Sequence, residues 1–259
     1  MRNTSIGHLP EESEQEIQKL IFENEDIFWL EGENLGLCTI EHHEINLTDT
    51  KPVYRKQFPL AYLQREDAEI EALKLIKGNL VRPSTSPYNA PVFVIEKKPL
   101  NNIKRLRLII DYSLLNFKTI PDPYMLPTIS EIFDEIGKNK YFSAIDISQG
   151  FTNIPIKESD IYKTAWSLQN LGRFEYKVLP FGLMDTARTF FRVMSKALEG
   201  LIGVICFCYV DDIIIISKDL KTHLKKIRII FDRLKRANLK LQTAKCHFLK
   251  DRIKFLEHV

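Results

Sequence analysis

Residues 204–217 read VICFCYVDDIIIIS, in which two adjacent aspartates, Asp211 and Asp212, stand between two apolar, β-rich runs. That pattern is a strand, a tight turn and a second strand. Runs this apolar belong in a core, so the hairpin carries two carboxylates to the rim of a buried sheet. Neighbouring anions repel, and burying them is costly unless a cation or hydrogen-bond donors compensate. Asp also favours turns, so an isolated pair is more simply a solvent-exposed tip. Asp146 shifts that weighing. It lies near the end of another short apolar strand, YFSAIDI (141–147), 65 residues before Asp211. A helical connection of that length can lay the two strand ends side by side. Three carboxylates gathered there form an oxygen-rich site suited to Mg2+. Such a site can hold two ions roughly 3.5–4 Å apart for in-line phosphoryl transfer.

The remaining elements alternate in kind. Residues 10–24 place Ile17, Leu20 and Ile21 on one helical face, with glutamates crowding the first turn where the helix dipole favours them. An irregular stretch runs from there to about residue 50. AYLQREDAEIEALKLIKGN predicts a helix from residue 61, closed by Gly78. VRPSTSPYNAP has three prolines and cannot be regular helix. PVFVIEKK (91–98) and RLRLIIDY (105–112) predict a hairpin joined by PLNNIK and bearing Lys97, Lys98, Lys104, Arg105 and Arg107. A helix is predicted from Asp185 through Leu201, with Ala187, Phe190, Phe191, Met194, Ala197, Leu198 and Leu201 at helical spacing. DLKTHLKKIRIIFDRLKRANL predicts an amphipathic helix whose buried stripe is Leu220, Leu224, Ile227, Phe231 and Leu234. Two short strand-like runs close the sequence. Helices and antiparallel hairpins without a long βαβ series make the fold class α+β.

Charge separates along the chain. Residues 1–50 hold 2 Lys/Arg against 12 Asp/Glu, whereas residues 51–259 hold 35 against 22. An acidic leader ahead of a basic body fits a polyanion-binding domain, although a solvated surface of uneven charge would look the same. No apolar run approaches the roughly 18–20 residues that span a bilayer, and the first residues contain no secretory apolar segment. The four cysteines, Cys38, Cys206, Cys208 and Cys246, form no C-x-x-C pair and read as reduced thiols of an intracellular protein.

Taken in order, SPYNAPVFVIEKK (86–98), RLRLIIDYSLLN (105–116), YFSAIDISQGF (141–151), LPFGL (179–183), YVDDIIIIS (209–217) and LKLQTAKCHFLK (239–250) resemble the successive blocks of a reverse transcriptase. The resemblance is closest to the pol polyprotein of gypsy-type LTR retrotransposons, covers roughly residues 40–259, and is carried by six collinear blocks. It implies a right-hand polymerase: an acidic leader over 1–50, fingers at about 51–120 and 154–185, and a palm at about 121–153 and 186–259. The palm is expected to be an antiparallel sheet backed by helices. The implied function is RNA-directed DNA synthesis on a primed RNA or DNA template from deoxynucleoside triphosphates, with two Mg2+ ions that Mn2+ can replace. Family members are cytoplasmic and particle-associated.

Position by position, the resemblance implies that Asp146, Asp211 and Asp212 are the catalytic, metal-binding carboxylates. Lys97 and Arg107 match residues that grip the incoming triphosphate, and their chemistry suits phosphate oxygens. Phe151 matches the steric gate against a 2′-hydroxyl, and Phe181 matches a residue lining the nucleotide pocket. Tyr209 and Val210 are expected under the primer terminus. Lys245 matches a lysine that protonates pyrophosphate.

Several positions depart from the family pattern. FGLMDTARTFF replaces the usual F-G-L-x-N-A-P-x-T-F-Q, with Asp185 for Asn and Phe191 for Gln. Ser113 stands where Arg is usual, and Glu257 where Gly is usual. The sequence ends at FLEHV, where the family continues into a thumb and RNase H, so both are expected to be absent and duplex grip weak. The departures imply an eroded, weakly active copy; the alternative is a catalytically inactive nucleic-acid-binding relic.

Overall fold

The computed structural model describes residues 5–6, 11–30, 33, 36–100, 103–125, 139–250 and 253; of residues 5–6, 11–13, 63, 97–100 and 103–105 it describes the backbone alone. The chain forms two compact units, one from Met1–Glu41, Pro123–Asn153 and Ala187–Val259, the other from His42–Asp122 and Ile154–Thr186. Among the described residues, no helix is long and apolar enough to cross a membrane.

The first unit is built on a five-stranded sheet. Two of its strands, β6 (Tyr141–Asp146) and β9 (Cys206–Tyr209), flank β10 (Asp212–Ser217) and pair with it antiparallel. β12 (His247–Lys250) joins β6 antiparallel, and β1 (Ser5–Ile6) runs parallel to β12. The strand order is therefore β1-β12-β6-β10-β9. The run Ile213–Ile216 is buried throughout, as a strand covered on both faces must be. Ile214 and Ile216 pack with Phe142, Phe207, Tyr209 and Ile253. Two helices of this unit, α4 (Thr186–Ala197) and α5 (Leu220–Arg236), each carry an apolar face. In α4 that face is Phe190, Val193, Met194 and Ala197.

α5 departs from the sequence reading. Its buried residues are His223, Ile227, Ile230, Phe231 and Leu234, while Leu220 and Leu224 are only half-buried. The stripe is rotated because His223 bonds on both ring nitrogens: Nε2 lies 2.7 Å from Ser143 Oγ and Nδ1 lies 2.6 Å from Ser217 Oγ. The Ser217 hydroxyl donates to the Asp219 carbonyl, so it accepts from a protonated Nδ1, and the Ser143 hydroxyl donates to Nε2. Ser143 Oγ also accepts from the Leu249 amide. One neutral imidazole thus ties α5, β6, β10 and β12 together.

The acidic leader is partly structural. In α1 (Glu11–Glu23), Ile17, Leu20 and Ile21 are buried as the periodicity predicts. The stretch read as irregular contains β2 (Phe28–Trp29), which pairs in parallel with β11 (Leu241–Gln242). Phe28 inserts edge-on between Phe231 at 5.7 Å and Phe248 at 6.4 Å. Glu23 and Asp26 then meet Arg228 and Lys235 of α5 at 3.3 and 2.7 Å.

The second unit holds a three-stranded sheet, β3 (Val81–Pro83), β8 (Gly172–Tyr176) and β7 (Trp166–Leu168), none of which the periodicity singles out. Strands this short carry too few residues to show a period. Trp166 is fully buried there against Phe174 and Tyr176. A separate hairpin joins β4 (Val92–Leu100) to β5 (Ile103–Ile110), covered by α2 (Tyr62–Lys77). The hairpin is longer than predicted. Pairing continues to Leu100↔Ile103 past an irregularity after Lys97, so most of PLNNIK is strand rather than loop. A short helix, α3 (Ser113–Lys118), follows.

Candidate active site

β6 and β10 pair in register from Tyr141↔Ser217 to Asp146↔Asp212, so two carboxylates lie directly opposite at the end of the sheet. β9 and β10 pair from Tyr209↔Asp212, leaving Val210 and Asp211 as a two-residue turn. Val210 has φ of 54°, a left-handed conformation that costs a β-branched side chain. Such strain persists only where the surroundings over-determine it, and it gathers at functional sites. Asp211 occupies the tip, and its carbonyl accepts from the Ile147 amide at 3.4 Å.

The electrostatics follow from this placement. Asp146 is 9% exposed. Burial pushes its carboxyl up, and the Asp211 charge adds to that, although Lys245 Nζ donates to Oδ2 at 2.9 Å and opposes it. Asp212 is pushed up to about 6, by burial first and then by repulsion from Asp211 and Asp146. Lys245 is held above its ordinary range: burial works against the ammonium, but the Asp146 hydrogen bond and the three carboxylates outweigh it. The site therefore carries excess negative charge in a partly dehydrated place, and a divalent cation would relieve it. The donor set, three carboxylates, suits Mg2+. Among the described residues, however, no three His, Cys, Asp or Glu side chains are gathered closely enough to hold an ion as they stand. The expected three-carboxylate cluster is thus present as a register and a charge, not as a closed set of ligands, and the cation beside Asp146 is Lys245.

Phe151 lies in a 3-10 turn, Gly150–Asn153, directly after β6 and the Ile147–Gln149 link. Its ring meets Phe190 edge-on at 5.5 Å. Gly150 is needed for that packing, since a Cβ at this position would stand 2.6 Å from Phe190 Cε2 and Cζ. Sequence pattern alone places Phe190 on a helical stripe and singles out neither it nor Gly150 as part of a site. A glycine a few residues beyond a strand that ends in a carboxylate is the signal that was available.

In the second unit, the Arg107 guanidinium stacks over the Phe181 ring at 4.7 Å. Arg107 pairs with Ile95 across the hairpin, and the Lys97 backbone pairs with Arg105. The side chains of Lys97, Lys98, Lys104 and Arg105 lie outside the described residues, as does Glu257. Asp185, the replacement for Asn, has φ of 62°, and its Oδ2 accepts from the Asp122 amide at 2.7 Å. Asp, like Asn, tolerates that left-handed backbone, so the turn keeps its shape. Asn116 holds the neighbouring LPFGL loop by donating to the Gly182 carbonyl and accepting from the Met184 amide. In the first unit Phe191, the replacement for Gln, is buried with Tyr124 6.0 Å away. Ser113 donates its amide to Asp111 Oδ1, beside the 2.7 Å Arg55–Asp111 ion pair.

The backbone arrangement matches solved reverse transcriptases. A foamy viral protease-reverse transcriptase in complex with an RNA/DNA hybrid superposes with a TM-score of 0.85 over 96% of this chain and 33% of that one, at 22% identity. The native prototype foamy virus protease-reverse transcriptase superposes with a TM-score of 0.82 at 25% identity, over 96% of this chain and 33% of that one. The fold is therefore the α+β fingers-and-palm fold of a right-hand polymerase. Residues 95–259 match the family model "Reverse transcriptase (RNA-dependent DNA polymerase)", and the chain belongs to that family. In sequence it is 40% identical over 255 residues to the retrovirus-related Pol polyprotein from transposon 297 of Drosophila melanogaster, covering 98% of this chain and 24% of that protein. It is 34% identical over 250 residues to the corresponding polyprotein from transposon gypsy of the same fly, covering 96% of this chain and 24% of that protein. The chain thus spans about a quarter of the length of these relatives.

Proposed function

We propose that this chain is an RNA-directed DNA polymerase domain, adding deoxynucleotides to a primer 3′-end and releasing pyrophosphate. The single observation that carries the reading is the Asp146↔Asp212 register with Asp211 at the adjoining tip. In this reading the unit His42–Asp122 with Ile154–Thr186 corresponds to fingers and takes in the last residues of the acidic leader, and the other unit corresponds to palm together with Met1–Glu41. Asp146 and Asp211 would hold two Mg2+ ions, or Mn2+ in their place, and Asp212 adds charge. When bound, the ions lower the pKa of the attacking hydroxyl and neutralise the departing pyrophosphate.

The protein's own groups do the rest. Arg107, pre-oriented on the Phe181 face, and Lys97 bind the triphosphate oxygens. Phe151, backed by buried Phe190, excludes a 2′-hydroxyl. Tyr209 and the strained Val210 support the primer terminus. Lys245 gives its proton to the leaving pyrophosphate. RNA/DNA hybrid and double-stranded DNA, the ligands of the foamy viral structures, are the partner classes proposed for this chain. Lys/Arg contacts to such partners make binding fall steeply with salt. The four cysteines are free and buried thiols, in keeping with a cytoplasmic, particle-associated protein.

Primer extension on poly(rA)/oligo(dT) with Mg2+ or Mn2+ tests the reading. Incorporation is expected, and Asp211→Asn should abolish it. Incorporation no greater than in that variant would overturn the enzyme reading and leave a non-catalytic nucleic-acid-binding domain.

A further inference from the structure

The carboxylate site already contains a cation from the chain itself. Lys245 Nζ lies 2.9 Å from Asp146 Oδ2, and the two side chains differ sharply in freedom: Lys245 is 63% exposed and Asp146 12%. The Lys245 backbone is fixed in the 3-10 turn Thr243–Lys245. Gln242 just before that turn accepts from Ser148 Oγ at 3.0 Å, and β12 begins at His247 just after it. What can move is the four-carbon stem and its ammonium, a flexible point charge on a fixed base. Its charge is felt by Asp146 and Asp212, and those of Asp211 and Asp212 by Lys245. An ammonium held in this position and a divalent ion ligated by Asp146 compete for the same oxygen lone pairs.

We propose that Lys245 is a built-in placeholder cation, which neutralises Asp146 until a divalent ion binds, competes with that ion, and swings to solvent when displaced. The proposal rests on the reading of Asp146 and Asp211 as metal ligands. It gives Lys245 two positions: bonded to Asp146 before ion binding, and free to turn toward a leaving group after it. Metal affinity in the absence of nucleotide is then set below what the three carboxylates alone would reach.

The test is Mn2+ binding to the full chain without nucleotide or nucleic acid, followed by the electron paramagnetic resonance signal of free hexaaqua Mn2+. Lys245→Met, which keeps the stem length and removes the charge, should bind Mn2+ about fivefold more tightly than wild type. Lys245→Arg, which keeps the charge, should stay near wild type. A merely structural role for Lys245 would weaken binding in both variants. Unchanged or weaker binding in Lys245→Met overturns the proposal while leaving the metal site intact. An Asp211→Asn arm separates the two ideas. Should wild type bind no Mn2+, or should the Asp211→Asn variant bind it equally well, the metal reading falls and the placeholder with it.

Discussion

Asp146 on β6 and Asp212 on β10 are direct cross-strand partners at the end of the sheet. Like charges so placed oppose folding. Burial and the neighbouring carboxylates raise Asp212 to about 6, so folding favours its neutral form. The cost is present above pH 6 and vanishes as pH falls below the ordinary value of 3.8. We expect Asp212→Asn to stabilise the chain at pH 8 by about 1 kcal/mol, solvent screening limiting the gain at a half-exposed site. Thermal melts at pH 8, 6 and 4 should show the gain shrinking. A gain independent of pH would refute the repulsion.

His223 works in the opposite sense. It is fully buried, and burial, with help from Lys226, lowers its pKa to about 4. Its neutral form is the one bonded to Ser143 and Ser217, so its contribution is complete above pH 6.5 and is lost as pH falls toward 4. The loss across that window amounts to about 3 kcal/mol. Replacing His223 with Gln should lower stability at pH 8 and flatten the acid limb. Urea titrations of both proteins at several pH values measure the difference, from which the Asp212 effect cancels.

Gly150→Ala should cost about 1–3 kcal/mol, because the added methyl group meets the buried Phe190 ring. The ring that yields is the one against which Phe151 packs. We therefore expect Gly150→Ala to raise ribonucleotide incorporation relative to deoxynucleotide, and Phe151→Val to raise it further. Single-nucleotide extension with matched dNTP and rNTP reads both. If Phe151→Val leaves the ratio unaltered, Phe151 is not the gate.

The leader offers a stability test with an internal control. Phe28 is 1% exposed and Phe22 is 74% exposed. Phe28→Ala should cost about 3–5 kcal/mol, the range for a buried Phe. Phe22→Ala should stay within about 0.5 kcal/mol of wild type. Chemical denaturation of the two variants decides whether residues around 28 belong to the folded unit.

Much of this architecture could be read locally. The helix over 61–78 has a 16-residue counterpart, Tyr62–Lys77, and the Ile17, Leu20 and Ile21 face is buried as spaced. The acidic hairpin was readable because apolar runs on both sides of Asp211 and Asp212 leave the chain little choice but strand, turn and strand. The length of the β4–β5 hairpin was not, since Lys, Asn and Pro carry weak strand preferences that cross-strand pairing overrode.

What the amino-acid order determined by itself is therefore the set of elements with strong local periods, the block order that marks the family, and the presence of carboxylates at strand ends. Tertiary structure decided which residues meet. The register that faces Asp146 with Asp212, the parallel docking of Phe28–Trp29 on Leu241–Gln242, the inward turn of His223 and the hold of Lys245 on Asp146 all join positions distant in the chain. Periodicity reports only which side of an element is apolar. Contacts between elements depend on packing shape and on the pairing of buried polar groups, neither of which exists until the chain has closed on itself.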